Sequence, residues 1–149
     1  MCESKSKVPG GDALTPILFY SSRVGFAEFS NFYKAKFILD DLVWDTVEHY
    51  YQAQKFLKDP ALKDRVHAER VRAAPTAAAA KALGRGRKIN ILKWDEIKLD
   101  TMRIALHAKF TQNPMSYKLL CGTGSRPLVE DSPRDYYWGR GRAARVKTC

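Results

Sequence analysis

The chain has 149 residues, 45% of them hydrophobic, enough for one buried core and short for two domains. Its formal net charge of +10 points to anionic partners: nucleic acid, nucleotides or phosphorylated metabolites. A plain soluble basic protein accounts for the charge equally well. No apolar run approaches the roughly 18–20 residues that span a bilayer, and the start, Met1 to Lys7, lacks the apolar stretch of a signal peptide. A cytoplasmic protein without membrane partners is therefore expected, with nuclear access only for a eukaryotic source. Cys2, Cys121 and Cys149 are odd in number and widely spaced, which fits reduced thiols better than a disulfide framework or a zinc site.

Residues 1–14 are polar and read as an N-terminal arm. Ile17 to Tyr20 reads as a short buried strand, followed by the aromatic-rich loop Phe26 to Tyr33. Phe37-Ile38-Leu39 and Leu42-Val43-Trp44 flank Asp40-Asp41, which predicts a tight hairpin. A helix capped by Asp45 or Thr46 runs to about Lys58, a charged one from about Ala61 to Ala73, and an alanine-rich one from Pro75-Thr76 through Leu83 with Gly84 as its stop. A long helix spans about Trp94 to Phe110, with Trp94, Ile97, Thr101, Ile104 and Ala108 on its inner face. A short helix follows Pro114 and ends at Gly122, and Leu128-Val129-Glu130 reads as a further strand. The expected fold class is α+β, mostly helical, one domain over residues 15–142 with a small antiparallel sheet near the N-terminus, then a basic tail over 143–149.

On the helix from Thr46, Glu48, Gln52 and Lys55 fall within about 60° of one another, with Tyr50, Ala53 and Leu57 opposite as core anchors. A carboxylate, an amide and an ammonium in line can form the polar floor of a site, Glu48 as general acid/base and Lys55 as phosphate ligand or amine nucleophile. The competing reading is a capping box between Asp45 and Glu48, and a solvated Lys55. Asp131 to Gly139 sets acids beside Tyr136, Tyr137 and Trp138; the rings suit stacking on a flat base, and Asp135 suits polarising a leaving amine, or the segment is simply a core-edge turn. Trp94 reads either as a stacking platform or as core packing. Gly84-Arg85-Gly86-Arg87 lacks the Lys-Ser/Thr of a P-loop, and Cys121-Gly122-Thr123-Gly124 resembles a phosphate-cradling turn. His49, His67 and His107 have no partners at metal-ligand spacing, so neither a metal nor a cofactor is expected.

The chain resembles the NADAR (YbiA-like) family. Phe26 to Phe32 is similar to its Ser-Asn-Phe loop motif, and Trp44 to Phe56 to its Glu-His-x-x-Gln-Ala-x-Lys-Phe helix. Leu83-Gly84-Arg85, Trp94 with the helix to Lys109-Phe110, and Leu128-Val129-Glu130 with Asp135-x-x-Trp138-Gly139 follow in the family's order. The resemblance implies a YbiA-like fold and hydrolysis of the bond between a phosphorylated ribose and a base-like amine. The implied substrate is ADP-ribose attached to guanine in nucleic acid, or else the phosphoribosylamino-pyrimidine intermediates of riboflavin synthesis. It implies Glu48, Lys55 and Asp135 as the catalytic set, and Ser30 and Asn31 as ribose or phosphate ligands. Phe32, Gln52, Trp94, Trp138 and Gly139 would shape the substrate site, with Arg85 as a phosphate ligand. A monomer is expected. Rival readings are a non-catalytic ADP-ribose reader and a basic nucleic-acid-binding domain. Family members continue past Trp-Gly with a Gly-x-Asn-x-Leu-Gly segment and an apolar helix. Gly139 to Cys149 is basic and lacks that asparagine and an apolar stripe, so either that helix is dispensable here, or the neighbouring core face is exposed and some ligand contacts are missing.

Overall fold

A computed structural model describes residues 14–21 and 25–141. The expected arm, apart from Leu14, and the expected tail lie outside these residues, as do Cys2 and Cys149. The chain separates into two compact units, one formed by Asn31–Pro114 and the other by the segments up to Ser30 and from Met115 onward.

In the first unit, β2 (Phe37–Leu39) and β3 (Leu42–Trp44) pair antiparallel in the register Phe37↔Trp44, Ile38↔Val43, Leu39↔Leu42. Asp40 and Asp41 take φ of 52° and 61°, the left-handed pair that a two-residue hairpin of matching twist requires. Alternation then buries Phe37 and Trp44 and leaves Ile38 and Val43 outside. The open edge of β2 is closed by a side chain: Ile38 N–H donates to Gln112 Oε1 (2.7 Å), and Gln112 Nε2 donates to Ile38 O (2.8 Å).

Four helices share this unit with the hairpin, the first and fourth of them packing against it. Thr46 caps α1 (Val47–Leu57), its hydroxyl oxygen accepting from His49 N–H at 3.2 Å. His49 Nε2–H donates to Ala74 O (2.9 Å), so its Nδ1 accepts the Thr46 hydroxyl proton (2.7 Å). Tyr50 and Ala53 are buried as expected, but so are Val47, His49 and Phe56, and α1 is enclosed nearly all round. Asp64 caps α2 (Arg65–Arg72), which therefore begins later than Ala61; Asp59 to Lys63 is a turn in which Asp59 Oδ1 accepts from Ala61 N–H. His67 Nε2–H donates to Leu83 O (2.8 Å) and ties α2 to α3 (Ala77–Arg85). Gly84 does not stop α3: it lies inside the helix, and Gly86 is the C-cap. α4 (Ile91–Gln112) starts at an Asn90 cap, before Trp94. Its buried stripe is Trp94, Thr101, Met102, Ala105, Ala108 and Lys109; Trp94, Thr101 and Ala108 are buried as expected, whereas Ile104 is 45% exposed and Ala105 is buried in its place.

In the second unit, β1 (Ile17–Phe19) pairs with β4 (Leu128–Glu130) in parallel, Ile17↔Leu128 to Phe19↔Glu130, a pairing no local pattern announces. A single 3₁₀ turn, Ala27–Phe29, interrupts the aromatic loop, with Phe29 packed edge-on to Phe19. The helix α5 (Pro114–Gly122) has its expected bounds. Behind it Gly124 N–H donates to Cys121 O, and the Thr123 hydroxyl donates to Leu120 O, so this glycine turn closes a helix end instead of presenting donors to an anion. Cys121 is held in a disulfide, not as the free thiol expected; spacing alone cannot pair cysteines distant in sequence.

Candidate active site

The polar line on α1 forms as the helical spacing requires. Gln52 Nε2 donates to Glu48 Oε1 at 2.7 Å, and both side chains are buried. The helix N-terminus is fixed from outside as well, because Glu48 N–H donates to Asn31 O at 3.1 Å. The cap is Thr46 with His49, so Glu48 is not half of a capping box with Asp45, and its carboxylate is turned to Gln52.

Lys55 is no solvated surface lysine. Its Nζ lies 5.9 Å from the Tyr51 ring centroid and 6.0 Å from that of Trp94, and the two rings meet edge to face at 5.0 Å. Burial holds the Lys55 ammonium below the ordinary lysine value; the Glu48 charge pulls it back up, while Arg85 and Lys81 push it further down. A partly desolvated lysine beside a carboxylate is the environment an amine nucleophile or a close phosphate ligand needs.

Of the expected substrate-site residues in this unit, Gln52 and Trp94 join Glu48 and Lys55 directly, and Arg85 joins through its field at Lys55. Trp94 is buried, as core packing requires, and its ring lies beside the Lys55 ammonium. The Asn31 side chain donates to Met102 Sδ at 3.5 Å, a soft contact with α4. Phe32 enters through Lys81, whose Nζ stands 5.6 Å from its ring. Tyr51 and Lys81 are the site residues that the sequence motifs do not single out. Tyr51 is four residues before Lys55, and Lys81 four before Arg85, so helical spacing carries the signal for both.

The remaining expected residues belong to the other unit. Ser30 is buried at the end of the 3₁₀ turn, its N–H donating to Ala27 O. Asp135 Oδ1 accepts from the backbone N–H of Tyr137 (3.0 Å) and Trp138 (2.8 Å), which orders an aromatic pair with centroids 4.6 Å apart. A Cβ on Gly139 would lie 2.7 Å from Ser132 Cβ and 3.0 Å from Asp135 O, so only glycine closes this turn. Asp131 pairs with Arg140 rather than standing free beside the rings. Among the described residues no group of three or more His, Cys, Asp or Glu is placed to hold a metal ion, and no helix is long and apolar enough to cross a membrane.

The chain has counterparts among known proteins. The N-glycosidase YbiA of Escherichia coli (strain K12) is 39% identical over 128 residues, covering 85% of this chain and 76% of that protein. An N-glycosidase of Nostoc punctiforme is 41% identical over 128 residues, 84% of this chain and 79% of its own. The chloroplastic riboflavin biosynthesis protein PYRR of Zea mays is 36% identical over 138 residues, which cover 85% of this chain but 22% of that longer protein. The NMR structure of E. coli YbiA superposes with a TM-score of 0.73 at 37% identity, covering 85% of this chain and 73% of the other, in keeping with the mostly helical α+β fold. Residues 18–148 match the NADAR domain, and on this match and these identities the chain belongs to the NADAR domain family.

Proposed function

We propose that the protein is an N-glycosidase that hydrolyses the bond between a phosphorylated ribose and a base-like amine, and that its substrate is ADP-ribose on guanine in nucleic acid. The observation that carries this reading is the Glu48–Gln52 couple beside a half-desolvated Lys55 backed by two aromatic rings. The names of the YbiA relatives support the reaction class. A second reading, cleavage of phosphoribosylamino-pyrimidines, is favoured by the similarity to PYRR and to a riboflavin biosynthesis protein of Vibrio vulnificus, 35% identical over 127 residues.

Breaking a ribosyl C–N bond builds positive charge on the sugar and leaves a nitrogen that must gain a proton. Protonated Glu48 gives that proton to the leaving amine, and its carboxylate then takes one from the water that adds to the anomeric carbon. In the lysine-assisted route, which we favour, the sugar ring opens and the neutral Lys55 amine adds to its aldehyde-level carbon. The base-like amine departs with a proton from Glu48, and water hydrolyses the resulting imine to restore Lys55 and release the phosphorylated ribose. Within the Asn31–Pro114 unit, Trp94 and Phe32 shape the base site, Asn31 binds ribose or phosphate, and Lys81 and Arg85 hold phosphate.

The test incubates wild type, Glu48→Gln and Lys55→Ala with a guanine-ADP-ribosylated oligonucleotide and separately with the phosphoribosylamino-pyrimidines. Release of ADP-ribose by wild type is expected, with kcat reduced about 10²–10⁴-fold in Glu48→Gln. Turnover of the pyrimidines alone transfers the assignment to the second reading. Binding of ADP-ribose with no cleavage of either substrate makes the protein a reader.

A further inference from the structure

Gly84 sits inside α3, in the run Ala77-Ala78-Ala79-Ala80-Lys81-Ala82-Leu83-Gly84-Arg85, where alanine is the better helix former and the backbone makes no left-handed demand. The reason for a glycine is contact. A Cβ there would stand 2.1 Å from Gln52 Oε1, 2.7 Å from its Cδ and 2.9 Å from its Cβ. Both the end and the root of the Gln52 side chain are thus pressed onto the bare backbone of α3.

We infer that Gly84 is a positioning residue for Glu48, acting through Gln52. The Gln52 amide has one working direction, Nε2 donating to Glu48 Oε1. Its oxygen is buried with no hydrogen-bond partner among the described residues. An acceptor left in that state is unfavourable, and a glutamine with room to turn would offer it to a donor or to water. The surface of α3 at Gly84 removes that room, so the N–H side of the amide faces the carboxylate in every productive encounter. A donor locked on one carboxylate oxygen fixes the orientation of the carboxyl group and so the direction from which a proton is given or taken. Methyl-sized bulk at Gly84 turns the amide away and deprives Glu48 of this donor. The inference rests on the reading of Glu48 as the acid–base group.

The experiment compares wild type, Gly84→Ala, Gln52→Ala and Gly84→Ala/Gln52→Ala by ¹H–¹⁵N NMR of side-chain amides and by kinetics on a guanine-ADP-ribosylated oligonucleotide. In wild type the Gln52 amide protons are expected far downfield and slow to exchange; in Gly84→Ala that signal moves to the envelope of solvated glutamines while the backbone spectrum stays folded. For Gly84→Ala, kcat falls about 10–100-fold and KM stays within about twofold. The double variant is no slower than Gln52→Ala, because the two changes act through one side chain. An unmoved Gln52 signal, or kinetic effects that simply add, overturns the inference. Should Gly84→Ala not fold, recovery of folding in the double variant supports the contact and its failure overturns it. Should no variant turn the substrate over, the proposed function fails, while the amide signal still decides the role of Gly84.

Discussion

Lys55 has two opposing neighbourhoods, and their balance is measurable. Burial and the charges of Arg85 and Lys81 favour its neutral form, and Glu48 favours its charged form. If the neutral amine is the nucleophile, kcat rises with pH through a midpoint below the ordinary lysine value of 10.5. Lys81→Met or Arg85→Met removes a positive neighbour and so moves that midpoint upward, which a pH–rate profile reads directly; a midpoint indifferent to both changes would remove Lys55 from the nucleophile's role. Borohydride added during turnover should leave a reduced sugar adduct on Lys55, found by peptide mass mapping, and an unmodified Lys55 counts against the imine. Stability follows the same sign. The folded state binds this proton less tightly than the unfolded one, so the protein becomes more stable as pH rises from the folded-state value toward 10.5. In Lys55→Met that part of the rise should disappear from a series of thermal melts.

Among the elements, the hairpin shows how a local rule and a distant contact share one position. Asp40 and Asp41 both sit at positive φ, where an aspartate is strained and a glycine is not. Asp41→Gly should therefore stabilise the fold by about 0.5–1 kcal/mol. Asp40 differs, since its Oδ2 accepts the buried Tyr50 hydroxyl at 2.9 Å; burial, together with this hydrogen bond, pushes the release of the Tyr50 proton to higher pH. Asp40→Ala should cost about 1 kcal/mol by leaving that hydroxyl unpaired, and urea denaturation of the two variants separates the effects. The turn itself is legible in the sequence, as are the Thr46 cap, the helix from Pro114 and the Glu48–Gln52–Lys55 line, because each depends on neighbours within a few residues. Gly84 misleads for the complementary reason: a helix-stop glycine and a close-contact glycine look alike until α1 is seen against α3. The parallel pairing of β1 with β4, and the turn of the α4 stripe from Ile104 to Ala105, likewise depend on partners remote in sequence.

For the molecule as a whole, charge is the property that separates the two substrate readings. Many surface cations are locally neutralised: Arg87 pairs with Asp64, Lys93 with Asp59, Lys98 with Asp95 and Arg103 with Asp100. Such exposed pairs add little stability, yet each removes a cation from the outward field. Lys81 and Arg85, a turn apart on α3, make no ion pair among the described residues and stay available beside Lys55. With a net charge of +10, a nucleic acid bearing the scissile ribose would be drawn by phosphates well beyond the reacting sugar, and each neutralised phosphate releases counterions. KM for a guanine-ADP-ribosylated single strand should then rise with salt, log KM against log salt having a slope of about 0.7 per phosphate bound. A phosphoribosylamino-pyrimidine brings one phosphate, so its slope should stay near or below that single-phosphate value. Replacing Lys81 and Arg85 together by Met should lower the oligonucleotide slope by about 0.7 for each phosphate these two side chains hold. The melting temperature should stay nearly unchanged, since neither side chain is buried. Equal slopes for the two substrates would mean that the protein handles only the sugar phosphate, and the nucleic-acid reading would give way to the small-molecule one.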